Sequence, residues 1–256
     1  MAEGRTTIVA FFDLDHTLLD GSNGNLYARL MVRERYMSPR ALFWVTWYSV
    51  LYSLNRLPRR EVYRKVLGTM GQYTVLEMIG MMDRGFEEVV VPRLYAGGVE
   101  QVKMHHEMGH RTVVATAAGE YVAERVRAQV GADDVIATPI PVDGDHITAE
   151  LEGPTAFMEG KLEMAREYCG LYGADLADCY FYSDSASDLP LLEAVGHPVL
   201  VNPKLKLKAA ARGRGWPVIL FSDYAMFERI ERPGRLMTPE LDSFNTVYEA
   251  SLTSKS

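Results

Sequence analysis

The chain opens with a short continuous apolar run. Residues 7–14, Thr-Ile-Val-Ala-Phe-Phe-Asp-Leu, carry β-branched and aromatic side chains up to Asp13, the pattern of a buried strand that ends in polar residues. From Asn25 to about Met108 the texture turns helical. Pro39 and Pro58 are each placed to open a helix, because the first turn leaves its N–H groups unpaired anyway. Beyond Met108, strand and helix alternate. Arg111–Thr116, Val135–Ile140, Cys179–Ser183, Pro198–Val201 and Trp216–Phe221 read as strands. Glu120–Val130, closed by Gly131, then Thr155–Tyr172, Asp188–Val195 and Lys204–Arg214 read as helices. Val142–Leu151 reads as a hairpin turning at Asp143-Gly144-Asp145.

This alternation predicts an α/β fold, a doubly wound parallel sheet of Rossmann-like form with helices on both faces. The helical block after the first strand is too long for a crossover of about a dozen residues and reads as an inserted domain. The expected organisation is an α/β core at 1–20 and 105–222 with a helical cap at 21–104. A peripheral C-terminal segment is expected at 223–256, with two prolines and a polar end.

Composition narrows the class. With 256 residues, 48% hydrophobic and 24% charged, the chain sits near the globular averages of roughly 45–50% and 25%. A disordered, collagen-like or repeat-built protein is excluded. Two cysteines, Cys169 and Cys179, are too few for a disulfide scaffold, so reduced thiols and a cytoplasmic location are expected. No signal-peptide pattern opens the chain. The longest near-apolar stretch, Ala41–Leu54, has 14 residues, short of the ~18–20 that a spanning helix needs.

Net charge is −7 but unevenly spread. Between Arg29 and Lys65 nine basic residues face two acidic ones, so this window is +7 and the remainder −14. A basic module on an acidic body points to something anionic nearby, or to no more than a solvated helix surface.

Four places put reactive groups at the carboxyl ends of predicted strands, where open α/β sheets bind ligands. Asp13-Leu-Asp15-His16-Thr17 sets two carboxylates one residue apart on a tight loop. One can attack as a nucleophile while the other moves protons, although aspartates at a strand end also cap helices. Thr116, followed by Ala117, Ala118 and Gly119 before a helix, offers a hydroxyl and backbone N–H groups to an anion; an ordinary N-cap is the alternative. Lys161, taken alone, is a solvated helix lysine. Asp184 and Asp188 lie four apart across a strand-to-helix loop, and carboxylates with carbonyl and water oxygens are the ligand set magnesium prefers. Their order along one sheet edge argues against four unrelated caps.

Phe-Phe-Asp13-Leu-Asp15-His-Thr17-Leu, Val-Val-Ala-Thr116, Lys161 and Tyr-Ser-Asp184-Ser-Ala-Ser-Asp188-Leu-Pro resemble the four ordered motifs of the haloacid dehalogenase superfamily. The resemblance covers about residues 7–221. Leu192-Glu-Ala-Val-Gly-His-Pro-Val-Leu-Val-Asn202-Pro203 is similar to its phosphoserine-phosphatase-like branch, subclass IB. It implies a magnesium-dependent phosphatase acting on a small phosphorylated metabolite through an aspartyl-phosphate. A phosphotransferase or mutase, or a lipid-phosphate phosphatase at a membrane surface, is the alternative. By the same resemblance, Asp13 is the nucleophile and Asp15 the general acid/base. Thr116, Ala117 and Lys161 hold the phosphoryl group. Asp13, Asp15 and Asp184 ligate Mg2+, and Asp188 supports that ligation or orients Lys161. The family usually has glycine where His16 stands, so either the loop there avoids positive φ or histidine tolerates it.

The inserted block matches the branch's helical cap in placement. Arg33, Arg56 and Arg60 are its candidates for an acidic substrate group. The apolar helix carrying Trp44 and Trp47 has two readings, the core of the cap bundle, which is preferred, or an interfacial helix in weak contact with a membrane surface. No nucleic acid partner is expected.

Overall fold

The computed structural model describes residues 7–53, 64, 68, 71–148 and 155–226. In chain order, these residues form β1 (Val9–Phe12), α1 (Asn23–Arg33), α2 (Pro39–Ser53), α3 (Val75–Gly85), α4 (Ala96–Glu107) and β2 (Arg111–Gly119). Next come α5 (Glu120–Val130), β3 (Asp134–Thr138), a small hairpin of β4 (Val142–Asp143) and β5 (His146–Ile147), and α6 (Glu159–Tyr172). The chain continues through β6 (Tyr180–Ser183), α7 (Leu189–Ala194), β7 (His197–Val201), α8 (Leu205–Ala210) and β8 (Val218–Ile219).

β1 is buried along its whole length, because it pairs in parallel with β2 on one side and β6 on the other. The six-stranded sheet runs β3-β2-β1-β6-β7-β8, all parallel. Winding therefore reverses between β1 and β6, and the crevice at the carboxyl ends of those two strands is where such a sheet binds its ligand.

Successive β1 side chains show that both faces are covered. Phe11 meets Tyr168 of α6 edge-on at 6.1 Å, and Phe12 meets His105 of α4 at 5.9 Å on the other side, as the strand's period of two requires. The fold class is as the alternation predicts, and α5 ends at Gly131, whose φ of 75° closes the helix.

Some expectations shift. β2 runs three residues past Thr116, with a register irregularity between Ala115 and Gly119. The expected boundary at residue 104 cuts α4, whose Val102 and His105 are buried. At the other end, one compact unit extends to Met226. Asp223 and Ala225, expected in a peripheral segment, join it through bonds from Ala96 N–H to Asp223 O and from Ala225 N–H to Leu94 O.

The preferred reading, that the apolar helix is the core of the cap bundle, does not hold for its first nine residues. Along Pro39–Trp47 of α2 no residue is buried, and Phe43, Trp44 and Trp47 are 62%, 49% and 45% exposed. Among the described residues, no helix is long and apolar enough to cross a membrane. Pro58 lies outside the described residues.

Candidate active site

Asp13 follows β1 directly, and its N–H bonds to the carbonyl of Tyr182 on β6 at 2.9 Å. Phe12 stacks on the Tyr182 ring at 4.6 Å, so backbone and side chain together fix the strand end that presents the carboxylate. Lys161 reaches the same point from the first turn of α6. Its ammonium stands 2.9 Å from Asp13 Oδ1 and 2.8 Å from Asp188 Oδ1 and is almost wholly buried. Gly160 makes this approach possible, since a Cβ there would lie 2.2 Å from the Thr155 carbonyl oxygen. Asp188 accepts a bond from Ser183 Oγ on its second oxygen at 2.7 Å. Both its oxygens are thus engaged, one by Ser183 and one by Lys161.

Asp15 turns toward the start of α1. Its Oδ1 accepts from the Asn23 N–H at 2.8 Å and its Oδ2 from Ser22 Oγ at 3.4 Å. His16, next along, has φ of 61°, so the loop does need the left-handed region and histidine tolerates it. Thr116 is buried within β2 and accepts from the Ala118 N–H at 3.1 Å. The helix it was expected to cap starts only at Glu120. The anion-facing groups there therefore belong to the β2 irregularity instead of a helix terminus.

One cavity of about 230 Å³ is lined by Asp13, Asp15, Thr116, Ala117, Lys161, Asp184 and Asp188. All the core residues singled out from the sequence thus meet in one place. His16, Ser22, Phe157, Ser185, Ser187 and Lys204 line it as well. Lys204 is the residue that sequence reasoning missed. It follows β7 as Asp184 follows β6, so the strand-end rule applied to Asn202-Pro203 would have found it. A larger hollow of about 450 Å³, between Arg35–Ser38 and Gln72–Tyr73, has no carboxylate in its lining and offers no comparable chemistry.

Of the arginine candidates, Arg33 does not line the cavity. Arg33 is exposed and tied to Glu88 and Glu34, which correlates with its absence from the lining. Arg56 and Arg60 lie outside the described residues.

Electrostatics of the cavity are those of excess anion. Four carboxylates face two ammonium groups. Burial raises Asp13 to about 8, against the pull of Lys161 and with help from Asp188, Asp184 and Asp15. Asp15 and Asp184 are also raised, chiefly by burial. Burial pulls the Lys161 ammonium down, but Asp13 and Asp188 more than restore it. Asp13 pushed toward neutrality and Lys161 held charged point different ways for one ion pair. The two short contacts decide for a charged Lys161, with the unneutralised carboxylates as the surplus.

Asp184 shows where that surplus is concentrated. Its Oδ2 is buried with no hydrogen-bond partner, although Lys204 Nζ stands 2.6 Å away as an ion pair outside hydrogen-bond geometry. A buried carboxylate oxygen whose counter-ion is a solvent-exposed lysine, in the same cavity as Asp13, suits a hard dication. Among the described residues, no three Asp, Glu, His or Cys side chains converge tightly enough to hold an ion alone. Magnesium binds through one or two carboxylates plus waters, so the donor set fits it.

A parallel α/β sheet with this acid–lysine cluster at its switch point defines a hydrolase of the phosphoryl-transferring kind. The chain belongs to the haloacid dehalogenase-like hydrolase family, whose model matches residues 10–193. It is 29% identical over 233 residues to a probable phosphatase of Mycobacterium tuberculosis, covering 90% of this chain and 81% of that one. A phosphoserine phosphatase of the same organism is 27% identical over 234 residues, covering 90% and 76%. A solved structure from Bordetella pertussis, of unknown function, superposes with a TM-score of 0.77 at 29% identity, covering 84% of this chain and 99% of that one.

Proposed function

We propose that the protein is a magnesium-dependent phosphatase that hydrolyses a small phosphomonoester in the cytoplasm through a phosphoenzyme on Asp13. An Asp13 oxygen attacks phosphorus, the bond to the leaving alcohol breaks, and Asp15 gives its proton to the departing oxygen. Asp15, now a carboxylate, then takes a proton from a water whose oxygen attacks the aspartyl-phosphate. Inorganic phosphate leaves and Asp13 is restored.

A raised Asp15 suits this division, because a general acid has to be protonated when the ester arrives. Lys161 and the Thr116 hydroxyl, which line the cavity, would hold phosphoryl oxygens, with Asp188 keeping Lys161 in position through their 2.8 Å contact. Asp13, Asp184 and the main chain at Asp15 would hold the magnesium ion. When bound, that ion supplies the positive charge that lets a phosphate dianion approach buried carboxylates.

The single observation that carries this reading is the Lys161 ammonium clamped between Asp13 and Asp188 in the cavity that buried Asp184 also lines. The helical block between Gly21 and Leu94 serves as the cap, and the substrate is an amino-alcohol phosphate of the phosphoserine type, as the named relative suggests. Phosphate release across a panel of phosphomonoesters, with magnesium and with excess chelator, tests it. Magnesium-dependent release that Asp13→Asn abolishes is expected. Turnover by Asp13→Asn at the wild-type rate would overturn the mechanism.

A further inference from the structure

Lys204 meets Asp184 twice. Its N–H donates to the Asp184 carbonyl at 3.0 Å, and its ammonium stands 2.6 Å from Asp184 Oδ2. The turn before it is fixed. Asn202 Nδ2 donates to the Phe221 carbonyl at 3.1 Å, its Oδ1 accepts the Phe221 N–H at 3.0 Å, and Pro203 is buried. The root of the Lys204 side chain is therefore held beyond the carboxyl end of β7, next to Asp184 beyond β6. Its four-carbon stem keeps the freedom to turn.

The two ammonium groups of the cavity differ in what leaving would cost. Lys161 is buried against two carboxylates, and withdrawing it strands buried charge. The Lys204 side chain is 52% exposed, so water solvates its ammonium once it turns away. Asp184 is buried and has no such recourse. It needs a cation beside it, and a dication with carboxylate and water ligands is one that its oxygens suit. Both oxygens belong to one small carboxylate. A dication there meets the Lys204 ammonium at close range, where like charges repel.

We propose that Lys204 is the stand-in counter-ion of Asp184, a positioning residue that holds this carboxylate in the metal-free protein and turns off it when magnesium binds. The exchange rests on the magnesium dependence proposed above. It gives Lys204 an effect on metal affinity opposite in sign to that of a lysine that orients a metal ligand. Removing an orienting partner typically weakens metal binding by about 10–100-fold. Removing a stand-in strengthens it, because a site open about one time in ten binds about tenfold more weakly than one always open.

Two measurements on the full chain, both without substrate, test the proposal. In the first, an N-hydroxysuccinimide acetate ester labels lysines with and without magnesium chloride, and mass spectrometry reads each site. An ammonium held against a carboxylate acylates slowly, so magnesium should speed labelling of Lys204. Exposed Lys206 and Lys208 on the same helix should not change. In Asp184→Ala, Lys204 should label fast from the start and ignore magnesium. In the second, calorimetry of magnesium chloride into Lys204→Met should show binding about tenfold tighter than to wild type. Magnesium binding by wild type with an unchanged or slower Lys204 labelling rate overturns the exchange alone, as does equal or weaker binding by Lys204→Met. No magnesium binding by either protein overturns the metal reading and the exchange together.

Discussion

Lys161 Nζ lies 2.9 Å from Asp13 Oδ1, and both groups are almost wholly buried. Removing either partner therefore has unequal consequences. Lys161→Met strands Asp13 and Asp188 without a cation, and a broken buried pair costs about 3–5 kcal/mol. Asp13→Asn keeps the shape, lightens a cavity already overloaded with carboxylates, and deletes the nucleophile. Urea unfolding should show the lysine variant clearly destabilised and the asparagine variant as stable as wild type or more so, with phosphate release lost in both. Equal stability of wild type and Lys161→Met would sink this account of the pair.

Magnesium should stabilise the fold independently of turnover. A ligand present at a hundred times its dissociation constant adds about 2.7 kcal/mol. Asp13, raised to about 8 from an ordinary value near 3.8, binds its proton more tightly folded than unfolded. Its contribution is present at low pH and is lost as pH rises from about 4 to 8. A bound dication offsets that loss, so the magnesium-induced rise in melting temperature should grow with pH through this window. Asp184→Ala should show little rise at any pH. A rise that is flat with pH, or intact in the variant, would remove the carboxylate surplus as its cause.

Acid should unfold the protein partly through His105. This side chain is fully buried between Tyr182, whose hydroxyl lies 2.9 Å from its Nε2, and His110, whose Nδ1 lies 2.8 Å from its Nδ1. Tyr182 donates to Gln101, so the His105 Nε2–H donates to Tyr182; burial favours the neutral ring, whose Nδ1 then accepts from His110. Phe12 and the Tyr180 ring pack around it. Burial first, then His110 and His106, lower it to about 4. Its contribution is complete above about 6.5 and is lost as pH falls toward 4, about 3 kcal/mol in all. The cavity carboxylates act with opposite sign, so the difference between wild type and His105→Gln isolates it. The unfolding free energy of wild type minus that of the variant should fall between pH 7 and pH 4.5. Parallel slopes would show that His105 does not titrate in this range.

Much of the site was legible because its groups obey one local rule. Asp13, Thr116 and Asp184 each stand at or near the carboxyl end of a strand, and a parallel sheet gathers such ends along one edge. Lys161 becomes meaningful only once α6 packs beside β1. The same rule covers Lys204, which went unread because its lysine looked like the start of a surface helix. Other features depend on partners distant in sequence. Arg33 pairs with Glu88, 55 positions away, which no local pattern announces. The hydrophobicity of α2 was plain from its residues, but whether neighbours cover it is a tertiary fact. At His16 the loop's need for positive φ outweighed the residue's own preference.

The connections of the helical block form the last testable device. The chain leaves the sheet at Leu19-Asp20 and returns at Leu94-Tyr95, and these two segments pair, with Asp20 N–H on Arg93 O at 2.8 Å and Tyr95 N–H on Leu18 O at 2.9 Å. Tyr224 pairs with Tyr95 from the far side. Both tyrosine hydroxyls end on one carboxylate, Tyr95 on Asp20 Oδ1 at 3.0 Å and Tyr224 on Asp20 Oδ2 at 2.5 Å. These two hydrogen bonds to Asp20 tie the outgoing segment, the returning segment and the segment after β8 together, and they hold Asp20 below the usual carboxylate range. Local opening follows local contacts, so a Tyr95→Phe, Tyr224→Phe double variant should exchange the amides of Asp20, Tyr95 and Ala225 faster. Those of Val113 and Val114 in β2 should keep their protection, because no sheet contact is touched. The rings remain, so the stacking of Tyr95 on Tyr224 at 6.1 Å should persist and the melting temperature should move little. Unchanged exchange at all three amides would show that the paired backbone alone holds the connection, with the hydroxyls idle.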